Sequence, residues 1–261
     1  MKHFPRAIAL EGRLRRCRNV RTLGVRPNFN DYDEEERRQI LKAPRIYYPS
    51  GFYAALFDAA GKGTFPSYHT YKCVQDKIQQ TALFQITGIP HPRTRVFYGK
   101  AQQRRITDYF KFPFVAKIAR GSAMGRGVHL IRSPADLSTY CEQNHAAYIQ
   151  EFFPIDRDIR AVVIGTQVVH AYWRVAPAGD FRTNLSAGGR IGSAPVPEEA
   201  LALALTVARR CCWDDVGVDI CCHRGEFYVL EGNMKYGKQG FRYFNIDYDR
   251  LMESLIENGH I

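Results

Sequence analysis

The sequence predicts an α/β (α+β) protein in which a small amino-terminal α/β lobe precedes two α+β lobes around a cleft. Three observations support this: strands and helices alternate in the first 75 residues, a glycine-rich loop joins two strands in the middle of the chain, and a later apolar hairpin carries acidic side chains. The expected lobes are residues 1–75, 76–149 and 150–261. Because no low-complexity segment or flexible linker separates them, we expect them to pack around one cleft.

The amino-terminal lobe is predicted from its alternation of apolar and charged runs. We expect strands at 7–10, 20–25 and 44–49, and helices at 31–43 and 52–60. A basic run, Arg13 to Arg18, lies between the first two strands. A solvated turn or strand edge is the preferred interpretation of this run, and a nucleic-acid patch is the alternative.

The middle lobe is predicted to begin with a helix at 76–87, which Gly88 ends. Strands are expected at 96–98, 113–119, 128–131 and 148–153. Ser133 followed by Pro134 is typical of a helix start, so a helix should run from there to about residue 144.

The third lobe is predicted to contain strands at 159–164 and 167–174 and an apolar helix at 197–212. The hairpin follows at 217–233. If His223, Arg224 and Gly225 form a three-residue loop with Gly225 in the left-handed conformation, odd-numbered residues of the two strands share a face.

That register places three oxygen-bearing side chains together: Asp219, Glu231 and Asn233. Diagonal neighbours on one face of a sheet lie roughly 7 to 8 Å apart, close enough to hold one or two small divalent cations. Mg²⁺, or Mn²⁺ in its place, suits two carboxylates and an amide oxygen, and Mg²⁺ completes its shell with water and phosphate oxygens. The alternative is a hairpin whose acids pair with nearby arginines.

Composition places the chain among ordinary globular proteins, with 45% hydrophobic and 24% charged residues. No apolar run is long enough to span a bilayer and the first residues do not resemble a secretory signal, so a cytoplasmic location is expected.

Seven irregularly spaced cysteines predict reduced thiols rather than disulfides or a zinc site. The net charge of +11 predicts an anionic partner, since residues 1–50 alone carry 12 Lys+Arg against 6 Asp+Glu.

A possible phosphate site precedes the hairpin. Lys117 ends a strand and is followed by a loop with three glycines at 121–127, whose backbone N–H groups could approach phosphate oxygens. The loop lacks the Walker ending, and a plain flexible hairpin is the alternative. Arg160, Arg174 and Arg182 lie in the strands and loop that follow, where arginines can neutralise phosphate charge or simply pair with nearby aspartates.

Several segments from Phe112 to Phe241 together resemble the ATP-grasp superfamily, and specifically the RimK-like glutamate ligases. They occur in the family's order and near its spacing and cover about half the chain. These segments are 112–117, 125–128, 150–152, 158–165, 179–185, 217–219 and 230–233, with Asp76-Lys77 resembling a further lysine position upstream.

The resemblance implies an ATP-grasp fold with a nucleotide cleft between two lobes, and it implies roles for individual residues. Lys77 and Lys117 would contact ATP phosphates, Glu151 and Phe152 would hold adenine, and Asp158 would take the ribose. Arg182, Thr183 and Asn184 would lie against the nucleotide, and Asp219, Glu231 and Asn233 would bind Mg²⁺. Arg174 and Arg182 are the expected catalytic residues, because they can stabilise the charge that develops during phosphoryl transfer.

Similar enzymes phosphorylate a carboxylate with ATP and let an amine attack the acyl phosphate. The leading hypothesis is therefore a carboxylate–amine ligase acting on an acidic small molecule or peptide, with an amino acid as a possible amine and no membrane partner. The alternatives are a small-molecule kinase of the same fold and a nucleic-acid or regulatory module that binds ATP. A homo-oligomer is possible.

Two departures from the family concern the acceptor. The segment Met234 to Gly240 places two lysines and a tyrosine where the family has small residues, a proline and a glycine, and Ser186-Ala187 replaces a His-Arg pair. These departures predict an acceptor other than the family's usual protein tail.

Overall fold

A computed structural model describes residues 7–74, 76–120, 127–185 and 188–261 of the chain. Within these ranges the strands form three sheets, one in each of the predicted lobes. The glycine-rich segment 121–126 and the Ser186-Ala187 departure lie outside the described residues. No helix among the described residues is both long and apolar enough to cross a membrane.

The amino-terminal sheet is fully parallel, in the order β2-β1-β3-β4. Its strands are β1 (Ala7–Ala9), β2 (Val20–Thr22), β3 (Arg45–Tyr47) and β4 (Gly63–Phe65), and its helices are α1 (Glu34–Lys42), α2 (Gly51–Ala59) and α3 (Tyr68–Val74). The first helix starts later than predicted because Asp33 caps it, accepting a hydrogen bond from the N–H of Glu36. The sequence analysis missed β4 and α3.

The middle sheet is antiparallel, in the order β5-β8-β6-β7. Its elements are α4 (Lys77–Thr87), β5 (Thr94–Tyr98), α5 (Gly99–Gln103), α6 (Ile106–Tyr109), β6 (Phe114–Lys117), β7 (Val128–Ile131), α7 (Pro134–Gln143) and β8 (Ala146–Glu151). The predicted start of α7 is confirmed, since the Ser133 hydroxyl accepts from the N–H of Asp136 and Pro134 opens the helix. The proposed lobe boundary after residue 149 lies within β8.

The third sheet has five strands in the order β11-β10-β9-β12-β13. Its elements are β9 (Arg157–Ile164), β10 (Gln167–Val175), β11 (Arg190–Gly192), α8 (Glu198–Cys211), β12 (Asp215–His223), β13 (Glu226–Asn233), α9 (Gln239–Tyr243) and α10 (Tyr248–Glu257). The apolar face of α8 packs against this sheet, as its run of alanines predicts. The sequence analysis missed β11, α9 and α10.

The amino-terminal sheet and the five-stranded sheet share one hydrophobic core. The amino-terminal lobe has a second core of its own, and so does the middle sheet. A buried polar network crosses the junction. The hydroxyls of Tyr48 and Tyr236 donate to the two oxygens of Asp215, at 2.9 and 2.6 Å. Arg13 donates to the Tyr248 hydroxyl at 2.8 Å and lies over the Tyr48, Tyr236 and Tyr248 rings.

This network corrects two expectations. Arg13, which the sequence analysis placed in a basic surface run, is instead packed against tyrosines at the junction. Tyr236, expected near the acceptor, is 7% exposed and bound to Asp215. Lys238, also expected there, has its ammonium 3.5 Å from Asp249 and 4.0 Å from the centre of the Tyr248 ring.

Candidate active site

A cavity of about 870 Å³, open to solvent, lies between the middle sheet and the five-stranded sheet. Every residue that the sequence analysis assigned to the site lines it. These residues are Lys77, Lys117, Glu151, Phe152, Asp158, Arg174, Arg182, Thr183, Asn184, Asp219, Glu231 and Asn233. The structure therefore brings together side chains that lie more than 150 positions apart in the chain, although their chemical roles remain predictions.

The hairpin holds the acids in a different register from the one predicted. The turn has two residues, Arg224 and Gly225, both with positive φ (54° and 84°), and His223 pairs with Glu226. The three-residue loop was therefore wrong, although Gly225 is left-handed as expected. A bulge between Asp219 and Ile220 then shifts the pairing, so that Asp219 lies directly opposite Glu231.

The bulge explains why the predicted face is nevertheless correct. Without it, a two-residue turn would pair odd with even positions and send the acids to opposite faces. With it, the Asn233 amide nitrogen lies 3.2 Å from Asp219 Oδ2 and 3.0 Å from Glu231 Oε1. The amide donates to both acids, which leaves its own oxygen available as a ligand.

Two arginines hold the acids on the sheet face. Arg160 on β9 binds Asp219 with two nitrogens, one of them 2.9 Å from Oδ2. Arg174 on β10 bridges two acids, with hydrogen bonds of 2.8 and 2.5 Å to Asp158 and one nitrogen 2.9 Å from Asp219 Oδ2. All four side chains are at most 7% exposed, so the ion pairs are shielded from water.

The two aspartates respond differently to this environment. Burial opposes ionisation of Asp219, but Arg160 and Arg174 outweigh it and lower the pKa of that carboxyl. Burial raises the pKa of Asp158, which Arg174 only partly offsets. Both oxygens of Asp158 are engaged, because the Thr183 hydroxyl also donates to it at 2.7 Å. Its predicted ribose contact stays a prediction.

The sequence analysis named Arg160 as an arginine that could neutralise phosphate charge or pair with an aspartate but did not assign it to the site, and the structure shows it paired with Asp219. The signal was present in the sequence: Asp158 and Arg160 alternate along one strand, so they point to the same face. Its partner Asp219 lies on the adjacent strand, and Arg160 and Asp219 are directly paired in the sheet.

Two lysines approach the acids from the middle sheet. The Asp76 side chain caps α4 by accepting from the N–H groups of Ile78 and Gln79, and Lys77 follows with its ammonium 3.9 Å from Glu231 Oε2. Lys117 ends β6 and is 8% exposed. Burial lowers the pKa of Lys117, while the nearby Glu231 acts in the opposite direction. An anionic ligand would relieve the repulsion between the two ammonium groups.

Apolar side chains also line the cavity. Phe152 and Phe181 meet edge to face with ring centres 6.0 Å apart, and Val115, Val128 and Leu230 are further lining residues. Arg182 lines the cavity too and forms a two-nitrogen pair with Asp180. Aromatic and aliphatic side chains can hold a base and the lysines a phosphate chain, so the lining suits a nucleotide.

The acid cluster suits a hard divalent cation. Asp219, Glu231 and the Asn233 amide supply only oxygen ligands, which Mg²⁺ and Mn²⁺ accept. Among the described residues there is no group of three or more His, Cys, Asp and Glu side chains that could hold a metal ion. A cation here would therefore depend on the amide oxygen as well as on ligand oxygens and water.

Comparison with protein families gives a match over residues 74–256 to the RimK-like ATP-grasp domain. The chain belongs to the RimK-like ATP-grasp family. This confirms the resemblance and the fold class inferred from the sequence. The match includes both lysines, the glycine-rich segment and the acid hairpin.

Relatives within the RimK-like ATP-grasp family are glutamate ligases by name. The chain is 29% identical over 185 residues to a probable alpha-L-glutamate ligase of Haemophilus influenzae, which covers 68% of this chain and 62% of the relative. It is 32% identical over 209 residues to the ribosomal protein bS6–L-glutamate ligase of Escherichia fergusonii. That match covers 76% of this chain and 69% of the relative. The chain thus spans somewhat under two thirds of the length of the Haemophilus relative.

Solved ATP-grasp structures share the fold at low identity. The ligase PsnB bound to a minimal precursor gives a TM-score of 0.69 at 19% identity, over 97% of this chain and 98% of PsnB. The D-alanine–D-alanine ligase of Bacillus anthracis gives a TM-score of 0.67 at 14% identity. That match covers 91% of this chain and 86% of the ligase. The fold shared with these ATP-grasp ligases therefore extends over nearly the whole chain, including the amino-terminal sheet.

Proposed function

We propose that this chain is an ATP- and Mg²⁺-dependent ligase that joins a carboxylate to an amine through an acyl phosphate. One observation carries the proposal. A single cavity combines aromatic and aliphatic side chains, two lysines, and a cluster of two acids and an amide held by two buried arginines. This arrangement suits transfer of a phosphoryl group, in which charge must be neutralised and reactants positioned without a protein nucleophile.

Each part of the cavity has a task in this scheme. Phe152 and Glu151 hold the base, Asp158, Thr183 and Asn184 lie along the sugar, and Lys77 and Lys117 bind the phosphates. Asp219, Glu231 and Asn233 hold Mg²⁺, which screens the phosphate charges when bound. Arg174 and Arg182 stabilise the negative charge that develops on the transferred group.

The proposed reaction has two steps. A substrate carboxylate oxygen attacks the γ-phosphorus, the bond to the β-phosphate oxygen breaks, and ADP leaves. The amine nitrogen then attacks the acyl carbon, inorganic phosphate leaves, and the nitrogen loses a proton. The buried Asp158–Arg174–Asp219 chain holds the Arg174 charge in place through both steps, since neither partner is free to move into water.

Glutamate is the amine substrate that we propose. The relatives share glutamate in their names but differ in the second partner, which is a ribosomal protein in one and LysW in another. The second substrate of this chain is a carboxylate on a different molecule, in line with the sequence departure at 186–187. The kinase and nucleic-acid alternatives have no observation in their favour beyond the net charge of +11.

The test is ADP release with Mg²⁺ and ATP, screened against glutamate combined with pools of acidic metabolites and carboxylate-bearing peptides. Products are analysed by mass, since a ligase yields an amide and free phosphate while a kinase yields a phosphorylated substrate. A double variant, Asp219→Asn with Glu231→Gln, should lose turnover by roughly a thousandfold or more. Glu226→Gln, an exposed acid at the tip of the same hairpin, is the matched control. Full turnover in the double variant would rule out the proposed site.

A further inference from the structure

A second groove, of about 880 Å³ and open to solvent, runs along a free strand edge and shares no lining residue with the active-site cavity. On its outer side β10 is paired with β11 only at Trp173, Arg174 and Val175. In the described part of the chain, no strand pairs with Val168 to Tyr172 on that side. Five residues of unpaired edge extend over roughly 17 Å and present backbone N–H and C=O groups.

His170 lies in this groove without a hydrogen-bonding partner. Its side chain is 8% exposed, and neither ring nitrogen has a partner among the described residues. The ring packs edge to face on Phe241 at 4.4 Å and beside Tyr172 at 5.7 Å. Buried polar atoms are normally hydrogen-bonded, so a bound group that offers both a donor and an acceptor would satisfy this ring.

The protonation of His170 defines what it can bind. Burial, helped by the nearby Arg160 charge, lowers the pKa of His170 to about 4. At neutral pH the ring is therefore uncharged, with one nitrogen that donates and one that accepts. A peptide group or a hydroxyl offers the matching acceptor and donor, whereas a carboxylate offers acceptors alone.

Exposed aromatic rings form the rim of the groove. Tyr243 and Phe244 are 47% and 41% exposed and meet edge to face at 5.1 Å, and Phe244 lies 5.7 Å from the His170 ring. The protein carries a net charge of +11, yet the groove has no charged side chain among its described lining residues. The lining residues are Val168, His170, Ala171, Tyr172, Gly192, Ser193, Ala194, Pro195, Val196, Leu201, Tyr243 and Phe244.

We propose that an extended, uncharged peptide segment of a polypeptide partner docks here as an added strand on β10, with an aromatic side chain against the exposed Phe244 ring and a peptide group or hydroxyl at His170. The free edge supplies backbone hydrogen bonds, and alternate side chains of an added strand would point into the groove. The uncharged, aromatic lining selects an aromatic residue over an acidic one. This docking site is separate from the proposed catalytic cavity and does not depend on it.

The test uses the full chain and an array of capped, uncharged peptides about seven residues long, with Tyr, Phe, Leu, Ser or Glu at the centre. Peptides with a central Tyr or Phe should be retained, and their Glu counterparts should not. The best peptide is then labelled and titrated by fluorescence anisotropy. Phe244→Ser should weaken its binding about tenfold or more. Phe52→Ser, a 62% exposed ring on α2, is the matched control and should leave binding unchanged.

Strand addition is tested separately by replacing single amides of the peptide with esters, which removes one N–H at a time. Alternate ester positions should weaken binding by roughly two- to tenfold, because only every second N–H faces β10. The proposal is overturned if no arrayed peptide binds the wild type more tightly than Phe244→Ser, if Glu peptides bind best, or if no ester weakens binding. Binding must also persist in Asp219→Asn, and its loss there would place the peptide in the catalytic cavity instead.

Discussion

The side-chain amide of Gln80 makes hydrogen bonds in both directions with one residue, Gly232. Gln80 Nε2 donates to the Gly232 carbonyl oxygen and Gln80 Oε1 accepts from its N–H, each at 2.9 Å. Gly232 separates the two proposed metal ligands of β13, and Gln80 lies one helical turn after Lys77 on α4. The pair therefore fixes the distance between Lys77 and Glu231, although nothing in the sequence around Gln80 marks it as part of the site.

Replacing Gln80 with alanine should both destabilise the chain and impair the site. The change leaves the buried N–H and C=O of Gly232 unsatisfied, which costs about 2 kcal/mol. For a chain of this size that corresponds to a fall in Tm of roughly 4 to 8 °C by calorimetry. Gln79→Ala, whose amide makes a longer, 3.3 Å bond to Asp76, should change Tm far less. Equal effects of the two variants would contradict the proposed bridge.

Arg160→Met should weaken Mg²⁺ dependence without abolishing ATP binding. Arg160 holds Asp219 by two hydrogen bonds, and removing a residue that orients a metal ligand commonly costs 10- to 100-fold in metal affinity. The measurement is the Mg²⁺ concentration that gives half-maximal ADP release, which should rise by about tenfold or more. Arg157→Met, an exposed neighbour on the same strand, is the control. An unchanged Mg²⁺ dependence would show that Arg160 does not position Asp219.

Tyr236→Phe should loosen the junction between the first and third sheets. The substitution removes the 2.6 Å hydrogen bond to Asp215, whose side chain is fully buried. Asp215 then keeps the Tyr48 hydroxyl at 2.9 Å and the Arg13 guanidinium at 3.9 Å. The expected loss is about 2 kcal/mol of unfolding free energy, measured by urea titration. Tyr243→Phe, at an exposed ring, should be neutral. If both variants were neutral, the Asp215 network would have no part in stability.

His170 should make the stability of the chain depend on pH below neutrality. Its pKa is about 4 when folded and near 6.5 when unfolded, and the nearby Arg160 charge adds to the effect of burial. The unfolded state therefore binds more protons between these values, so folded stability falls as the pH is lowered from 6.5 to 4. The full effect is roughly 3 kcal/mol.

The measurement compares wild type with His170→Gln by urea unfolding at several pH values. Other groups titrate equally in both chains, so the difference between them isolates His170. Wild type should lose stability relative to the variant as the pH falls through this window. Parallel pH profiles would show that His170 is already protonated or solvated in the folded chain.

Most residues of the cavity were predicted from their resemblance to the motifs of RimK-like ligases. Asp219, Glu231 and Asn233 were also grouped from the alternation of side chains along the hairpin, with a turn one residue too long that the bulge beside Asp219 offsets. Such reasoning failed where contacts join distant elements. Gln80 and Tyr236 act through partners more than 20 positions away, and no local pattern predicts such a contact.

Short elements were missed for a related physical reason. β4 and β11 have three residues each, too few to show an alternating pattern, and tertiary contacts stabilise them. α3 and α9 were likewise overlooked, since helices of seven and five residues complete fewer than two turns. Longer elements such as α8 and the strands β9 and β10 were found with nearly correct bounds.

The bulge opposite Asp219 also bears on how hairpins of this kind are aligned with one another. It absorbs one residue of β13, so a hairpin shorter by Leu230 could run as an unbroken ladder and still set Glu231 against Asp219. The number of residues between the two carboxylates is therefore not fixed by the geometry of the pair. Placing a one-residue gap in this hairpin when comparing chains is physically reasonable, and a rigid spacing pattern would overlook proteins that carry the same pair of acids.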